Sequence, residues 1–424
     1  MIRIIKDGVK ERKEIFSVEV EKPDVAAIVR EIIEKVRKEG DTALKYYTEK
    51  FDKAQLDSLR VSEEEITEAV ESVEPKFIEV LKKAAANIRF FHEKQKREGF
   101  ELKNADGIIV GQRVIPVERA GIYVPGGTAA YPSTVLMDAI PAVVAGCERV
   151  VMVTPPDKNG KVNPVILAAA SVAGVTEIYK VGGAQAVAAL AYGTQTIPKT
   201  DKIVGPGNAF VAEAKRQVYG QVSIDMIAGP SEIMVIADGK NRASDIAADL
   251  LSQAEHDKLA SAVLATDSYE FALAVSAELE RQIPLLERKE IARVSIDTNG
   301  KIIVTESIEK AVEIANGIAP EHLEICVDEP FRYLDQIKHA GSIFLGRNCP
   351  EALGDYYAGT NHTLPTSGTA RFSSPLSVDD FIKKTQYIYC DENALQTVGK
   401  DVEYFAKQEG LTAHAKSAVC RFED

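Results

Sequence analysis

From Gly121 onward, short apolar runs alternate with alanine-rich stretches of helical length, and that alternation leaves few architectures open. Runs near Val150–Val153, Glu177–Val181, Lys202–Val204 and Ser223–Ile227 are predicted strands. Helices are predicted between them over Ser133–Ala145, Pro164–Ala173, Ala184–Tyr192 and Ala209–Tyr219. A second series follows, with strands near Ile233–Ala237, Ala262–Ala265, Leu323–Val327 and Ser342–Leu345. Parallel strands need crossovers that cover both sheet faces with helices, so the pattern predicts a doubly wound α/β fold. Two series predict two similar units, although no residue-level repeat links them.

Ahead of these units, the chain from about Asp24 to Gly99 reads as helical. Asp24 or Pro23 can begin a helix that carries Val25, Ile28, Val29, Ile32, Ile33 and Val36 and ends at Gly40. Pro75 to Arg97 carries Phe77, Val80, Leu81, Ala84, Ile88 and Phe91 at the same spacing. Such stripes are core surfaces. After Leu364 the pattern weakens, and roughly the last 50 residues read as a small helical unit. A net charge of −13 argues against general affinity for nucleic acid or anionic membrane. No run approaches the roughly 18 consecutive apolar residues of a membrane helix. The opening Met-Ile-Arg-Ile-Ile-Lys-Asp is too charged for a signal peptide, so a cytoplasmic location is expected. Five cysteines without a close pair read as free thiols.

Three glycine-rich turns follow predicted strands: Pro125-Gly126-Gly127, Gly182-Gly183-Ala184-Gln185 and Gly205-Pro206-Gly207-Asn208. Glycine permits a sharp turn and brings backbone N–H groups close to an anion at a helix start. In open α/β sheets ligands sit at the carboxyl ends of strands, so these turns point to a nucleotide or phosphate. Gly-x-Gly-x-x-Gly is absent, and the pattern by itself does not name NAD.

The second half also carries metal-capable runs: Ser252-Gln253-Ala254-Glu255-His256, Gly354 to His362, and Leu411-Thr412-Ala413-His414. They hold three of the six histidines. Gln253 and His256, three apart, share one face if helical. With Asp355 and His414 folded back onto that face, one ion would meet a carbonyl oxygen, a carboxylate and two imidazoles. That donor set suits zinc or its neighbours rather than calcium or magnesium.

These residues also carry a family pattern. Ile224-Asp225-Met226-Ile227-Ala228-Gly229-Pro230-Ser231-Glu232, continuing to Ser252–His256, resembles the signature of the histidinol dehydrogenase family at its spacing. Ala319-Pro320-Glu321-His322-Leu323-Glu324, Leu353-Gly354-Asp355-Tyr356, Asn361-His362-Thr363-Leu364-Pro365-Thr366 and Gly410-Leu411-Thr412-Ala413-His414 match as well. The resemblance implies zinc on Gln253, His256, Asp355 and His414, with Glu321 and His322 as proton acceptors. It implies contacts to L-histidinol from Ser231, Gln253, His256, His322, Asp355, Glu409 and His414, and NAD at Tyr123, Gln185 and Asn208. It further implies two incomplete Rossmann-like units with small N- and C-terminal pieces. The family is an intertwined homodimer in which Glu409 and His414 complete the neighbouring site. The expected division is 1–23, then 24–120 with 233–376, then 121–232 for NAD, then 377–424.

Such an enzyme would oxidise L-histidinol to L-histidine through the aldehyde, reducing two NAD+. His322 is the better acceptor for the alcohol proton, since an ordinary imidazole titrates near neutrality. Glu321 would activate the water that attacks the aldehyde. Adjacent side chains diverge on regular backbone, so both can face inward only where the backbone is irregular. Read without the family, Glu321 and His322 are better explained as surface charge at a strand entrance. His362 is expected to line the site, and His92 and His339 to be solvated on charged helical faces. Helix capping or loop fixing explains Asp225 and Glu232 as well as substrate contact does. If the aldehyde were held on a thiol, Cys147 or Cys349 would be the place. A zinc hydrolase and a non-catalytic zinc and nucleotide binding protein are the rival readings.

Overall fold

The structure, a computed structural model, describes residues 1–7, 12–17, 24–126 and 130–422. Pro23 and Gly127, both named above, lie outside the described residues. The chain divides into two compact units: residues 1–95 with 118–381, and residues 96–117 with 382–424.

The first unit holds two parallel sheets. The five-stranded sheet runs in the order Glu177–Lys180, Arg149–Thr154, Arg119–Tyr123, Lys202–Val204, Ser223–Ile224. The six-stranded sheet runs Arg3–Lys6, Lys301–Val304, Ser261–Thr266, Glu232–Ala237, His322–Cys326, Ser342–Leu345. Setting aside the edge strand Arg3–Lys6, both sheets follow one winding, third-second-first-fourth-fifth in chain order. Every pairing in both is parallel. The two expected α/β units are therefore alike in topology although their residues are not.

Helix composition explains the layers. Gly183–Tyr192 buries Ala184, Ala186, Ala188, Ala189 and Ala191, because it lies between its sheet and the helix Ala26–Glu39. Ala26–Glu39 turns Val29, Ile32, Ile33 and Val36 inward, and each contributes about 1.5–3 kcal/mol by leaving water. Ile28, expected on that stripe, is 51% exposed because it falls on the helix's outer side. The helix stops where predicted: Gly40 has φ 57°, and its N–H still reaches the Val36 carbonyl. The helix Pro75–Glu93 buries Leu81, Ala84, Ala85 and Ile88, while Val80 and Phe91 are exposed. His92, expected in solvent, is fully buried, with Nδ1 2.6 Å from Gln95 Oε1. His339 sits half-buried in a bend and not on a helix.

The second unit differs from expectation. Its helices Glu392–Gln408 and Thr412–Val419 are joined by a three-stranded antiparallel sheet of Ile382–Tyr389, Ile109–Pro116 and Phe100–Lys103. Phe100–Lys103 is exposed at every position and Ile382–Tyr389 at most of them, so neither shows the in–out alternation that marks a strand. No described helix is long and apolar enough to cross a membrane.

Candidate functional site

The two sheets use opposite ends. In the five-stranded sheet the winding reverses between Arg119–Tyr123 and Lys202–Val204, and a cavity of about 860 Å3 lies at their carboxyl ends. Tyr123, Gln185 and Asn208 all line it. Tyr123 is buried, and its hydroxyl accepts from Gly183 N–H at 3.0 Å, tying the first strand to the next helix start. Gln185 is buried with its Oε1 unpartnered among the described residues. Asn208 caps the helix Ala209–Val218, its Oδ1 accepting from Phe210 and Val211 N–H at 3.0 and 3.2 Å. A buried pair, Lys215 with Asp225, fixes the turn before Asn208. Lys215 donates to the Gly205 carbonyl at 2.9 Å, and Asp225 accepts from Gly205 N–H at 2.8 Å. Gly205 has φ 117°, and a Cβ there would strike the Tyr123 carbonyl, so no other residue fits.

In the six-stranded sheet the corresponding carboxyl-end crevice is filled. Arg347 donates to the Cys326 carbonyl, Asp238 and Asp328, each at 2.8 Å. The chemistry-bearing residues gather instead at the amino ends. His322 opens the strand His322–Cys326 and lies beside the start of Glu232–Ala237. Before it, Ala319 adopts φ 57° and Pro320 follows, which is the irregular backbone needed to turn Glu321 and His322 inward together. Both are buried, which removes the surface-charge reading.

One backbone residue clamps the pair. Glu232 N–H donates to Glu321 Oε2 at 2.8 Å, and the Glu232 carbonyl lies 3.0 Å from His322 Nδ1. That contact assigns the proton to Nδ1 and leaves Nε2 facing Asp355 Oδ1 at 3.3 Å and Glu351 Oε1 at 4.0 Å. His322, Glu351 and Asp355 form a metal-capable group whose ligand atoms lie within 4.8 Å of one another. Glu351 was not among the expected residues. Its spacing of four from Asp355 was the available signal, since both then fall on one helical side. Asp355 sits on a π-helical turn, Gly354–Ala358. At Gly354 a Cβ would meet the Phe344 ring, and at Gly359, φ 108°, the Asn87 carbonyl, so both glycines allow the turn to pack closely.

The electrostatics favour a cation. Burial works against charge on His322, yet Glu321, Asp355 and Glu351 push it up to about 10. Burial likewise opposes a charged Asp355, but the hydrogen bond and charge of His322, with His362, hold it well below the usual range. Burial pushes Glu321 up to about 8, and Glu232 and Glu351 up to about 7. Glu324, beneath them, accepts from Glu351 N–H at 2.7 Å and is raised by burial and by Asp249. So many acids around one imidazole make a pocket of negative potential.

The other expected ligands are distributed as follows. Gln253 closes the helix Ala243–Ala254, and its Nε2 is buried without a partner among the described residues. An amide's oxygen and nitrogen are assigned from their partners, so that end can equally present oxygen. His256 is exposed at its surface but walled by protein, which lowers its basicity while Asp355 opposes that. His362 Nδ1 lies 3.1 Å from the Asp355 carbonyl, and its Nε2 3.5 Å from Thr134 Oγ1. Ser231 is half-buried at the strand's entrance, its carbonyl accepting from Ser261 N–H at 3.0 Å. Glu409 and His414 lie in the second unit, both exposed, His414 on the helix Thr412–Val419.

Neither candidate thiol has the setting of a nucleophile. Burial pushes Cys147 up to about 12, and its Sγ faces only the Phe381 carbonyl at 4.0 Å. Cys349 is half-buried before the Glu351 turn, with no base beside it in sequence. Replacing both with alanine should leave turnover within about threefold. A loss of several orders of magnitude in steady-state rate would restore the thiol route.

A cavity at one sheet's switch point and a buried acid–base centre in the same unit fit an α/β enzyme that binds a nucleotide. A family model described as histidinol dehydrogenase matches residues 17–422, and the chain belongs to the histidinol dehydrogenase family. It is 58% identical over 396 residues to the histidinol dehydrogenase of Bacillus cereus, covering 93% of this chain and 92% of that one. It is 54% identical to that of Geobacillus kaustophilus, covering 100% and 99%. The crystal structure of histidinol dehydrogenase from Elizabethkingia anophelis superposes with a TM-score of 0.94 at 42% identity, covering 99% of this chain and 98% of that one.

Proposed function

We propose that this chain oxidises L-histidinol to L-histidine through the aldehyde, with one zinc ion per subunit and two NAD+ reduced per turnover. The observation that carries the reading is the buried His322, clamped at Nδ1 with Nε2 turned to the carboxylates of Asp355 and Glu351. Gln253, His256 and Asp355 would hold the ion, together with the partner subunit's His414, so a homodimer is part of the proposal. The donor chemistry fits: an orphaned amide end, an imidazole within reach of Asp355's charge, and an acid-rich surround. When bound, zinc supplies a positive centre that orients the amino alcohol and opposes the charge on His322, and NAD supplies the hydride acceptor.

The chain's own residues then divide the proton work. His322 takes the hydroxyl proton at Nε2, while Nδ1–H stays on the Glu232 carbonyl and fixes the ring. Glu321, anchored by Glu232 N–H, takes a proton in its ionised form from the water that adds to the aldehyde. Once that first proton has passed from Nε2 to solvent, His322 deprotonates the hydrate. Ser231 and the partner subunit's Glu409 would position the substrate, and Tyr123, Gln185 and Asn208 the nucleotide. Adding L-histidinol and NAD to zinc-replete protein should give reduced-nicotinamide absorbance and histidine together. A zinc hydrolase would give neither, and that result would overturn the reading.

A further inference from the structure

Two acceptor oxygens in the nucleotide cavity have no donor among the described residues. Asp52 Oδ2 and Gln185 Oε1 are both buried without hydrogen-bond partners among the described residues, and both residues line the same cavity of about 860 Å3. Buried oxygens of this kind are costly unless a ligand brings hydrogens to them. Asp52 ends the helix Asp41–Asp52, where Lys53 turns away at φ 60°. Ile32, Phe51, Pro155 and Pro156 line the same cavity with apolar surface suited to a flat base.

In doubly wound folds the acid that reads a ribose normally sits just past the second strand. Here that strand is Arg149–Thr154, and Pro155 and Pro156 follow it. The next acid, Asp157, is already engaged: its Oδ1 accepts from Asn159 and Lys161 N–H at 2.8 and 2.9 Å. The usual position is thus taken by prolines, and Asp52 offers its carboxylate from the helical layer instead. Ala130, which also lines the cavity, precedes the helix Pro132–Ala145, whose Thr134 Oγ1 lies 3.5 Å from His362 Nε2. With the reacting end of the nucleotide assigned to that side, Asp52 is left for the adenosine half.

We propose that Asp52 is the nucleotide-specificity residue: its carboxylate accepts the hydroxyl hydrogens of the adenosine ribose and so favours NAD over the 2′-phosphorylated cofactor. Although burial raises Asp52 to about 6, it remains mostly ionised at neutral pH, and a 2′-phosphate would meet it charge against charge.

The inference rests on NAD being the nucleotide, which wild-type turnover of L-histidinol with NAD tests by itself. The discriminating experiment compares NAD, NADP and NAD lacking the adenosine 2′-hydroxyl on the wild type and on Asp52→Asn. In the wild type, the deoxy analogue should raise KM about tenfold with kcat within about twofold. In Asp52→Asn, the NAD-to-NADP ratio of kcat/KM should fall at least about tenfold, and the deoxy penalty should shrink. An unchanged ratio, or a fall in kcat alone with all three cofactors, would overturn the proposal. Should the variant fail to fold, wild-type protein that binds the deoxy analogue as well as NAD overturns it equally.

Discussion

Replacing His322 by asparagine is expected to lower turnover by about a thousandfold while bound zinc and KM for L-histidinol change far less. The amide cannot accept a proton at the position of Nε2, and in the proposed reaction that position serves both oxidation steps. The strand itself should survive, because His322 pairs through its backbone with Ile233 and Ser342, which the substitution does not touch. Steady-state kinetics with metal analysis decides the matter. A rise in KM at unchanged kcat would make His322 a binding residue and leave the proton without an acceptor.

Asp355→Ala should give a loss of similar size for a different reason. The variant removes the one anionic ligand of the proposed zinc set and the closest carboxylate to His322 Nε2. Zinc per subunit should fall below about a tenth, with turnover lost in parallel. Circular dichroism should still report a folded chain, since Asp355 lies on a short turn outside the hydrophobic clusters. The two variants separate the roles: one keeps the metal and loses the base, the other loses the metal. Stoichiometric zinc with normal turnover in Asp355→Ala would remove it from the ligand set.

Much of this was legible in the residues. Alternation of buried strands with alanine-rich helices marked both parallel sheets, because such strands are apolar along their whole length and such helices need small residues to fit between layers. The antiparallel sheet was not legible, since Ile382–Tyr389 and Phe100–Lys103 bury too little to leave a period of two. Residues at the site divided similarly. Gln185, Asn208 and Tyr123 stand at turns that glycine made visible, and the structure brings all three to one cavity. Glu351 and Glu324 were missed because an acid in an unremarkable run carries no mark of burial; only the fold places them under His322. His92 misled for the converse reason, its charged neighbours concealing a buried face.

The two sheets share one winding but use it differently. The second sheet's switch point is occupied by Arg347, and its amino ends carry the acid–base cluster instead. In the proposed reaction both oxidations pass the same His322, with NAD replaced between them. The decisive measurement is the number of NADH formed per histidine released by zinc-replete protein supplied with L-histidinol. Two NADH for each histidine, with no free aldehyde accumulating, is the expected count. One NADH with release of the aldehyde would contradict a single centre that carries the substrate through both steps.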